Sequence, residues 1–333
     1  MKIIKVSTSN PEQANLFLRQ TSGKLGVWGD CQFFINQPIE RCDWWFICHY
    51  SSVLMPETTI CDPDHIVFIS MEPKDSWIPS SFFNQFSQLI ICDRSISHSN
   101  IKYGNGLTWW VGIEVRHDNG HHFSPEIKLT YDTLKEIPIP EKQNRISVIC
   151  SRKNLFPGHV KRLAFLDKLL AHPVSKYIDF FGGGFRPIPD KWDAIAPYKY
   201  HLVLENSIVP DYWSEKLGDA FLGYAYPVYY GCPNFNRFFN DKSLETIDID
   251  KFDQTVLILE SLLLDDQHNN HLPYIIEARN KVLNDYNIFQ LMSDICIEPA
   301  KKFKNCKLKP VNYFERSWSH RLAHKTIFRF RGR

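Results

Sequence analysis

Short apolar runs alternate with amphipathic stretches along most of the chain. The clearest example lies near the middle, where the apolar run 201–204 predicts a buried strand that ends in the polar residues 205–207. A helix with apolar positions at helical spacing is predicted to open at Pro210, and the run 227–231 predicts the next strand. This succession of strand, loop, helix and strand places polar side chains where open α/β sheets bind ligands.

The same alternation extends to both sides of this unit, which predicts an α/β protein of two domains. Further strands are predicted at 3–6, 44–47, 67–70, 88–92, 145–150 and 244–249, and helices at 10–19, 82–86, 159–170, 254–264 and 272–284. The proline-containing polar run 137–144 suits neither a helix nor a central strand. We therefore predict one domain over 1–140, a second over 141–298, and a separate tail over 299–333.

Composition places the chain among ordinary globular proteins. It has 333 residues, 44% hydrophobic and 23% charged, with a net charge of +2. Its nine cysteines include no Cys-x-x-Cys pair, which argues against a disulfide framework and a structural zinc site. No apolar signal region or membrane-spanning run is present in the sequence. These features favour a cytoplasmic protein.

The last stretch, 301–333, differs from the rest because it is strongly basic and contains a single acidic residue, Glu315. Aromatic and aliphatic residues are interleaved with its lysines and arginines. Such a segment can bind an anionic membrane surface, so we predict peripheral contact at the inner face of the cytoplasmic membrane. A solvated helix or a disordered tail is the alternative. A nucleic-acid partner is not expected, since no other part of the sequence forms a module that recognises nucleic acid.

Polar residues around the central unit offer chemistry suited to a nucleotide. A helix amino terminus with Lys216 nearby favours a diphosphate, and Glu215 and Asn206 can hydrogen-bond sugar hydroxyls. Taken singly, each of these residues fits a capped helix with a surface Glu–Lys pair better than a binding site. The glycine turn 182–184 is not a dinucleotide fingerprint, because prolines follow where the helix should begin. Close approach of the backbone to a neighbouring strand or a nucleotide explains these glycines.

Arginines and a glutamate at other strand ends extend this chemistry. Arg162 lies in the first turn of the helix predicted at 159–170, where it can chelate phosphate oxygens, with Arg152 and Lys153 as further phosphate ligands. A surface arginine on an amphipathic helix is the alternative. Glu72 follows a buried strand and precedes Pro73, so its carboxylate can face a cleft and accept a proton. A solvated loop glutamate is the competing interpretation.

Several of these segments resemble the α-1,3/1,4-fucosyltransferase family, glycosyltransferase family 10, in its bacterial form. Its donor-binding signature is similar to Leu-Glu-Asn-Ser, Asp-Tyr, Ser-Glu-Lys-Leu and Pro-Val-Tyr-Tyr-Gly, which occur in this order between residues 204 and 231. Trp213 departs from it, since the family usually has a smaller aliphatic residue there. The segment 162–169 resembles the family's Arg-x-Ala-Phe-x-x-x-Leu, and 68–73 resembles the segment with its proposed catalytic base.

The resemblance implies the GT-B architecture, two Rossmann-like α/β domains facing across a cleft. The first domain would bind a glycan acceptor and the second the donor, GDP-fucose. Fucose would be transferred with inversion to an acceptor hydroxyl, in α-1,3 or α-1,4 linkage, on a bacterial surface glycan such as lipopolysaccharide.

Individual roles follow from the same resemblance. Glu72 would deprotonate the acceptor hydroxyl, while Arg162 and Lys216 would stabilise the departing diphosphate. Glu215 would hold the ribose, and Asn206 with Tyr212 would complete the donor pocket. Because fixed cations and a helix terminus can replace a metal ion, we expect activity without a divalent ion or another cofactor.

Two other functions remain open at this point. A related transferase with another GDP-sugar would share every donor contact except those to the hexose. A non-catalytic glycan- or nucleotide-binding module would share the pocket without needing Glu72.

Overall fold

The computed structural model of the chain describes residues 1–9, 13–49, 55–118 and 122–314. Its strands are β1 (Lys2–Ser7), β2 (Val27–Trp28), β3 (Cys31–Ile35), β4 (Trp44–Cys48), β5 (Glu57–Cys61), β6 (Ile66–Ile69), β7 (Gln88–Ile91), β8 (Ile101–Tyr103), β9 (Ile113–Asp118), β10 (His122–Ile127), β11 (Gln143–Ile149), β12 (Ile178–Phe181), β13 (Tyr198–Leu204), β14 (Tyr226–Tyr230), β15 (Glu245–Thr246) and β16 (Lys304–Leu308). Its helices are α1 (Gln13–Leu18), α2 (Ser80–Phe83), α3 (Tyr131–Glu136), α4 (Pro157–Ala171), α5 (Lys191–Ile195), α6 (Glu215–Leu222), α7 (Phe252–Asp265), α8 (Gln267–Leu283) and α9 (Ile288–Ser293).

The described residues form two units whose limits differ from the predicted ones. The first unit combines Met1–Gly106, His117–Ser124 and the described part of Ile288–Arg333, and the second combines Leu107–Arg116 with Pro125–Asn287. The predicted boundary between the two domains lies near residue 140, and no later segment is predicted to belong to the first unit. The physical reason is burial, since Phe289 and Met292 of α9 lie in the core of the first unit.

The first unit is built on a sheet in the order β2-β3-β1-β4-β6-β7-β8, in which every pairing is parallel except that of β2 with β3. Its central strands β4 and β6 are buried at every position. Alternate side chains enter the cores on the two faces, as Trp44 and Trp45 do. The tryptophan pair therefore belongs to the core.

The carboxy-terminal segment contributes to this unit as well. Strand β16 pairs antiparallel with β5, and its Cys306 and Leu308 side chains are buried. Residues 304–308 are thus part of the fold and not of a separate tail, which corrects the predicted limit at 299. The remainder of the predicted membrane segment, 315–333, lies outside the described residues. Among the helices that the structure describes, none combines the length and apolar character needed to cross a membrane.

The second unit contains a fully parallel sheet in the order β12-β11-β13-β14-β15. From β11 the chain passes to β12 on one side, and the later strand β13 lies on the other side. This reversal leaves a crevice at the carboxyl ends of β11 and β13, which is where ligands bind in open α/β sheets.

Helix α6 follows β13 with its apolar side packed into the core of this unit. Leu217, Ala220 and Phe221, which occupy the apolar positions at helical spacing, are fully buried. The helix begins at Glu215, however, and not at Pro210. Asp211 has a left-handed backbone with φ of 65°, and the Ser214 side chain caps the helix by accepting a hydrogen bond from the Lys216 amide. A left-handed residue cannot continue a helix, so the turn around Asp211 delays its start.

Candidate functional site

The crevice in the second unit is formed by the start of α4 and the loop that follows β13. A Cβ atom on Gly158 would lie 1.9 Å from the Asn206 carbonyl oxygen, so only glycine permits this approach. Gly182 behaves similarly, because a Cβ there would lie 2.2 Å from the Cys150 carbonyl oxygen. The predicted close approach of the glycine turn to a neighbouring strand is confirmed.

Arg162 is buried at this crevice, with 4% of its surface exposed. One guanidinium nitrogen donates to the Leu204 carbonyl oxygen at 3.2 Å, at the very end of β13. Among the described residues, its Nε atom has no hydrogen-bond partner and no carboxylate forms an ion pair with it. The interpretation as a surface arginine is therefore wrong. A buried, unpaired cation is costly, which points to an anionic ligand.

Further basic groups surround Arg162. Burial lowers the pKa of His159, and the charges of Arg162, Lys153 and Lys216 lower it further. Arg152 lies on the exposed side, where it forms a 2.7 Å ion pair with Asp167 and stacks over Phe185. The positive charge is thus concentrated where the helix α4 begins, close to the strand ends.

Lys216, in helix α6, is a further member of this basic cluster. Its ammonium lies 3.5 Å from Glu205 and 3.3 Å from Glu215. Glu205 is itself buried and accepts from the Ser214 amide and hydroxyl at 2.8 Å each. Burial lowers the pKa of Lys216, but the two carboxylates outweigh that effect and raise it. Lys216 is therefore held as a cation at physiological pH.

Glu215 is held ionised by two lysines. Burial raises the pKa of its carboxyl, but Lys216 and Lys191 outweigh burial and lower it to about 2. Lys191 reaches Glu215 at 3.5 Å and the buried Asp219 at 2.9 Å. Sequence reasoning missed Lys191 and Asp219, because neither belongs to a local pattern. An ionised carboxylate accepts hydrogen bonds only, so Glu215 can bind two hydroxyls of a ligand.

The remaining predicted residues of this region differ in exposure. Asn206 is exposed in the loop after β13, whereas Tyr212 is buried. Lys153 is exposed before α4. Trp213 packs against an aromatic group, with ring centroids 4.9 Å from Phe239 and 5.4 Å from Tyr286. Its large side chain thus fills the core of the unit.

Glu72 lies in the first unit, just beyond the end of β6. Its backbone amide donates to the Ser70 hydroxyl at 3.0 Å, and that hydroxyl donates back to the Glu72 carbonyl at 3.2 Å. Its carboxylate lies 3.4 Å from the His49 imidazole, and 32% of the side chain is exposed. Sequence reasoning missed His49, which follows a different strand.

Asp75 is a second carboxyl in the same loop and is completely buried. Burial raises its pKa to about 7; the Ser70 hydroxyl opposes this rise, while Glu72 and Asp93 add to it. Both carboxyl oxygens lack a well-formed hydrogen bond to the described residues. Asp75 is therefore protonated in the folded protein over a pH range in which the unfolded chain has lost the proton.

We expect Asp75→Asn to flatten the pH dependence of stability. Since the pKa rises from 3.8 to about 7 on folding, the wild type should lose up to about 4 kcal/mol of unfolding free energy between about pH 4 and pH 8. Asparagine has no such titration, so the variant should be the more stable protein at pH 8 and similar at pH 4. Urea unfolding at both pH values measures this. Asp64→Asn, at an exposed site, should leave the wild-type pH dependence intact; identical pH profiles for wild type and Asp75→Asn would contradict the expectation.

Comparison with known proteins decides the family. The model described as "Glycosyltransferase family 10 (fucosyltransferase) C-term" matches residues 139–306. The chain belongs to glycosyltransferase family 10. The match contains the whole basic cluster around Arg162 and Lys216, and the predicted family is confirmed.

Individual fucosyltransferases are similar to the chain over a shorter stretch. The α-(1,3)-fucosyltransferase FucT of Helicobacter pylori is 31% identical over 124 residues, which is 35% of this chain and 24% of that protein. The human 4-galactosyl-N-acetylglucosaminide 3-α-L-fucosyltransferase FUT6 is 31% identical over 119 residues, 34% of this chain and 32% of the human protein. The chain thus aligns with about a quarter to a third of the length of these relatives.

A solved structure is similar in fold over nearly the whole chain. It is a crystal structure of an α1,3-fucosyltransferase with GDP-fucose, with a TM-score of 0.51, 16% identity, and coverage of 91% of this chain and 92% of the other. The predicted GT-B fold class, with two Rossmann-like α/β units, is confirmed.

Proposed function

We propose that the protein transfers fucose from GDP-fucose to a hydroxyl of a glycan acceptor, with inversion at the anomeric carbon. The observation that carries the proposal is the buried Arg162, which lacks a carboxylate partner among the described residues at the switch between β11 and β13. Lys216 lies close enough to Arg162 that the charges of both residues lower the pKa of His159. Membership of family 10 and the names of its matched members support fucose as the sugar.

The donor's diphosphate fits the basic cluster. Arg162 uses one guanidinium nitrogen for Leu204, which leaves further N–H groups for phosphate oxygens. Lys216 adds a fixed positive charge, and Arg152 and Lys153 offer outer contacts. We propose that these charges replace a divalent ion and that no other cofactor takes part, because preorganised cations can stabilise the leaving diphosphate directly.

The nucleoside end of the donor fits the neighbouring acceptor groups. The ionised Glu215 would accept hydrogen bonds from the two ribose hydroxyls, while Lys191 and Lys216 hold its carboxylate in place. The exposed Asn206 side chain is available to a ligand at the strand end. Tyr212 is largely buried, so its contribution would be to shape the pocket wall through packing.

Glu72 would act as the general base on the acceptor. Its carboxylate would take the hydroxyl proton while the hydroxyl oxygen bonds to the anomeric carbon. The bond between that carbon and the diphosphate oxygen then breaks, and its electron pair leaves with GDP. Attack on the side opposite the leaving group inverts the configuration.

The acceptor and the cellular location of the protein are proposed from fewer observations. The matched human member is named for fucosylation of galactosyl-N-acetylglucosaminides, so we propose an acceptor of that kind, in α-1,3 or α-1,4 linkage, on a bacterial surface glycan such as lipopolysaccharide. The basic and aromatic composition of 315–333 supports peripheral contact with the inner face of the cytoplasmic membrane, with the protein otherwise cytoplasmic.

GDP release tests the function directly. Wild-type protein is incubated with GDP-fucose or GDP-mannose, in EDTA, with N-acetyllactosamine or lacto-N-biose as acceptor. We expect acceptor-dependent GDP release from GDP-fucose alone, and the linkage follows from nuclear magnetic resonance of the product. Release from GDP-mannose would instead indicate a related transferase, and tight GDP binding without release from either donor would favour a binding module.

A further inference from the structure

His49 has an unusual backbone conformation immediately after β4. Its φ angle is 77°, in the left-handed region that residues with a Cβ atom rarely adopt. The conformation is fixed by the sheet, because the His49 amide donates to the Ile69 carbonyl of β6 at 2.8 Å. Such strain persists where the surroundings impose it, and it is concentrated at functional sites.

The position of His49 in the sheet is that of a ligand-binding loop. Strand β1 pairs with β3 on one side and β4 on the other, so the strand order reverses between β1 and β4. His49 follows β4 at this reversal, and Glu72 follows the adjacent strand β6. Loops at the carboxyl ends of such strands are those that bind ligands in open α/β sheets.

The side chains of His49 and Glu72 meet at this edge. The distance between His49 Nε2 and Glu72 Oε1 is 3.4 Å. The imidazole is the more enclosed partner, with 12% of its side chain exposed against 32% for the glutamate. The backbone of Glu72 is held by the Ser70 hydroxyl. Both the backbone and the carboxylate of Glu72 therefore have a neighbouring side chain that positions them.

Other acidic groups lie around the pair. The buried Asp75 carboxyl is close enough to interact with both Glu72 and Asp93. Asp93 is bound by the Asp75 and Ser76 amides at 2.9 and 2.8 Å. An ionised carboxylate has no proton to donate, so the imidazole is the donor in a hydrogen bond with the ionised Glu72 side chain.

We infer that His49 is a positioning residue for Glu72, a role that rests on the proposed function. Its Nε2–H would donate to Glu72 Oε1 and fix the carboxylate, so that the carboxylate meets the acceptor hydroxyl. During transfer the hydroxyl proton passes to Glu72, the hydroxyl oxygen bonds to the anomeric carbon, and GDP leaves with the electron pair. The imidazole keeps its own proton and orients the base in every turnover.

His49→Gly tests this role because glycine removes the ring and also relaxes the left-handed backbone. With GDP-fucose and N-acetyllactosamine or lacto-N-biose, we expect kcat to fall about 10- to 100-fold, with KM for GDP-fucose within twofold and the melting temperature not reduced. Added imidazole should restore at least part of kcat. Lys24→Gly, which relaxes another left-handed residue at an exposed site, should keep wild-type turnover.

A double variant shows whether His49 acts through Glu72. If it does, His49→Gly combined with Glu72→Gln should be no slower than Glu72→Gln alone, within about twofold. Effects that multiply, or wild-type kcat in His49→Gly, would overturn the inference while leaving the fucosyltransferase function in place. Absence of GDP release by the wild type with every donor and acceptor above would instead refute the proposed function, and this inference with it.

Discussion

Lys216→Ala should lower kcat/KM for GDP-fucose by about 10²- to 10³-fold, the size of effect that loss of one preorganised charge stabiliser produces. Lys216 remains a cation because Glu205 and Glu215 raise its pKa, and it lies beside the buried Arg162. Without Lys216, one fixed positive charge fewer stabilises the diphosphate as it departs. The change also frees Glu215 from one of its two lysines, so GDP itself should bind more weakly.

The measurement combines steady-state GDP release with calorimetric GDP binding. Lys161→Ala is the matched control, since Lys161 precedes Arg162 in α4 but is exposed and pairs with Asp250. This control should keep turnover and affinity within about twofold, as surface ion pairs contribute little. Equal losses in the two variants, or a Lys216 variant with normal GDP affinity and turnover, would exclude Lys216 as a donor ligand.

Glu72→Gln should reduce kcat by about 10²- to 10⁴-fold, the range expected when a general base is lost. Glutamine has nearly the same shape and can still contact His49, but it cannot accept the hydroxyl proton. The proposed donor contacts come from residues of the second unit, so the affinity for GDP-fucose should remain within about twofold of the wild type.

Single-turnover transfer and donor binding measured on the same preparation separate these two quantities. Glu40→Gln, an exposed glutamate of the same unit, serves as the control and should behave as wild type. A Glu72 variant with undiminished transfer would remove Glu72 from the mechanism. Loss of donor binding in parallel with transfer would indicate a structural role.

Local pattern was sufficient for the elements around the central unit. The apolar run before Glu205 became β13, and the helical spacing of Leu217, Ala220 and Phe221 became the buried side of α6. Both are properties of neighbouring residues, which sequence displays directly. The start of α6 was misplaced because the conformation of Asp211 depends on Asn234 and Arg237, far along the chain.

The contacts that form the candidate site could be identified only from the three-dimensional structure. Burial of Arg162 depends on where β13 ends beside α4, and the partnership of Lys191 with Asp219 joins two helices. The pair of His49 and Glu72 joins the ends of two adjacent strands. None of these contacts follows from spacing in the sequence, whereas the residue types at Lys216 and Glu215 were recognisable from their motif.

The return of the chain to the first unit at α9 and β16 has a consequence for biosynthesis. The residues of the second unit all leave the ribosome before α9 and β16 do. The second unit can therefore fold while the first still lacks the apolar side chains of Phe289 and Met292 and the strand that pairs with β5. During that interval the first unit exposes an incomplete core and an unpaired strand edge, which makes its nascent form the aggregation-prone stage of synthesis.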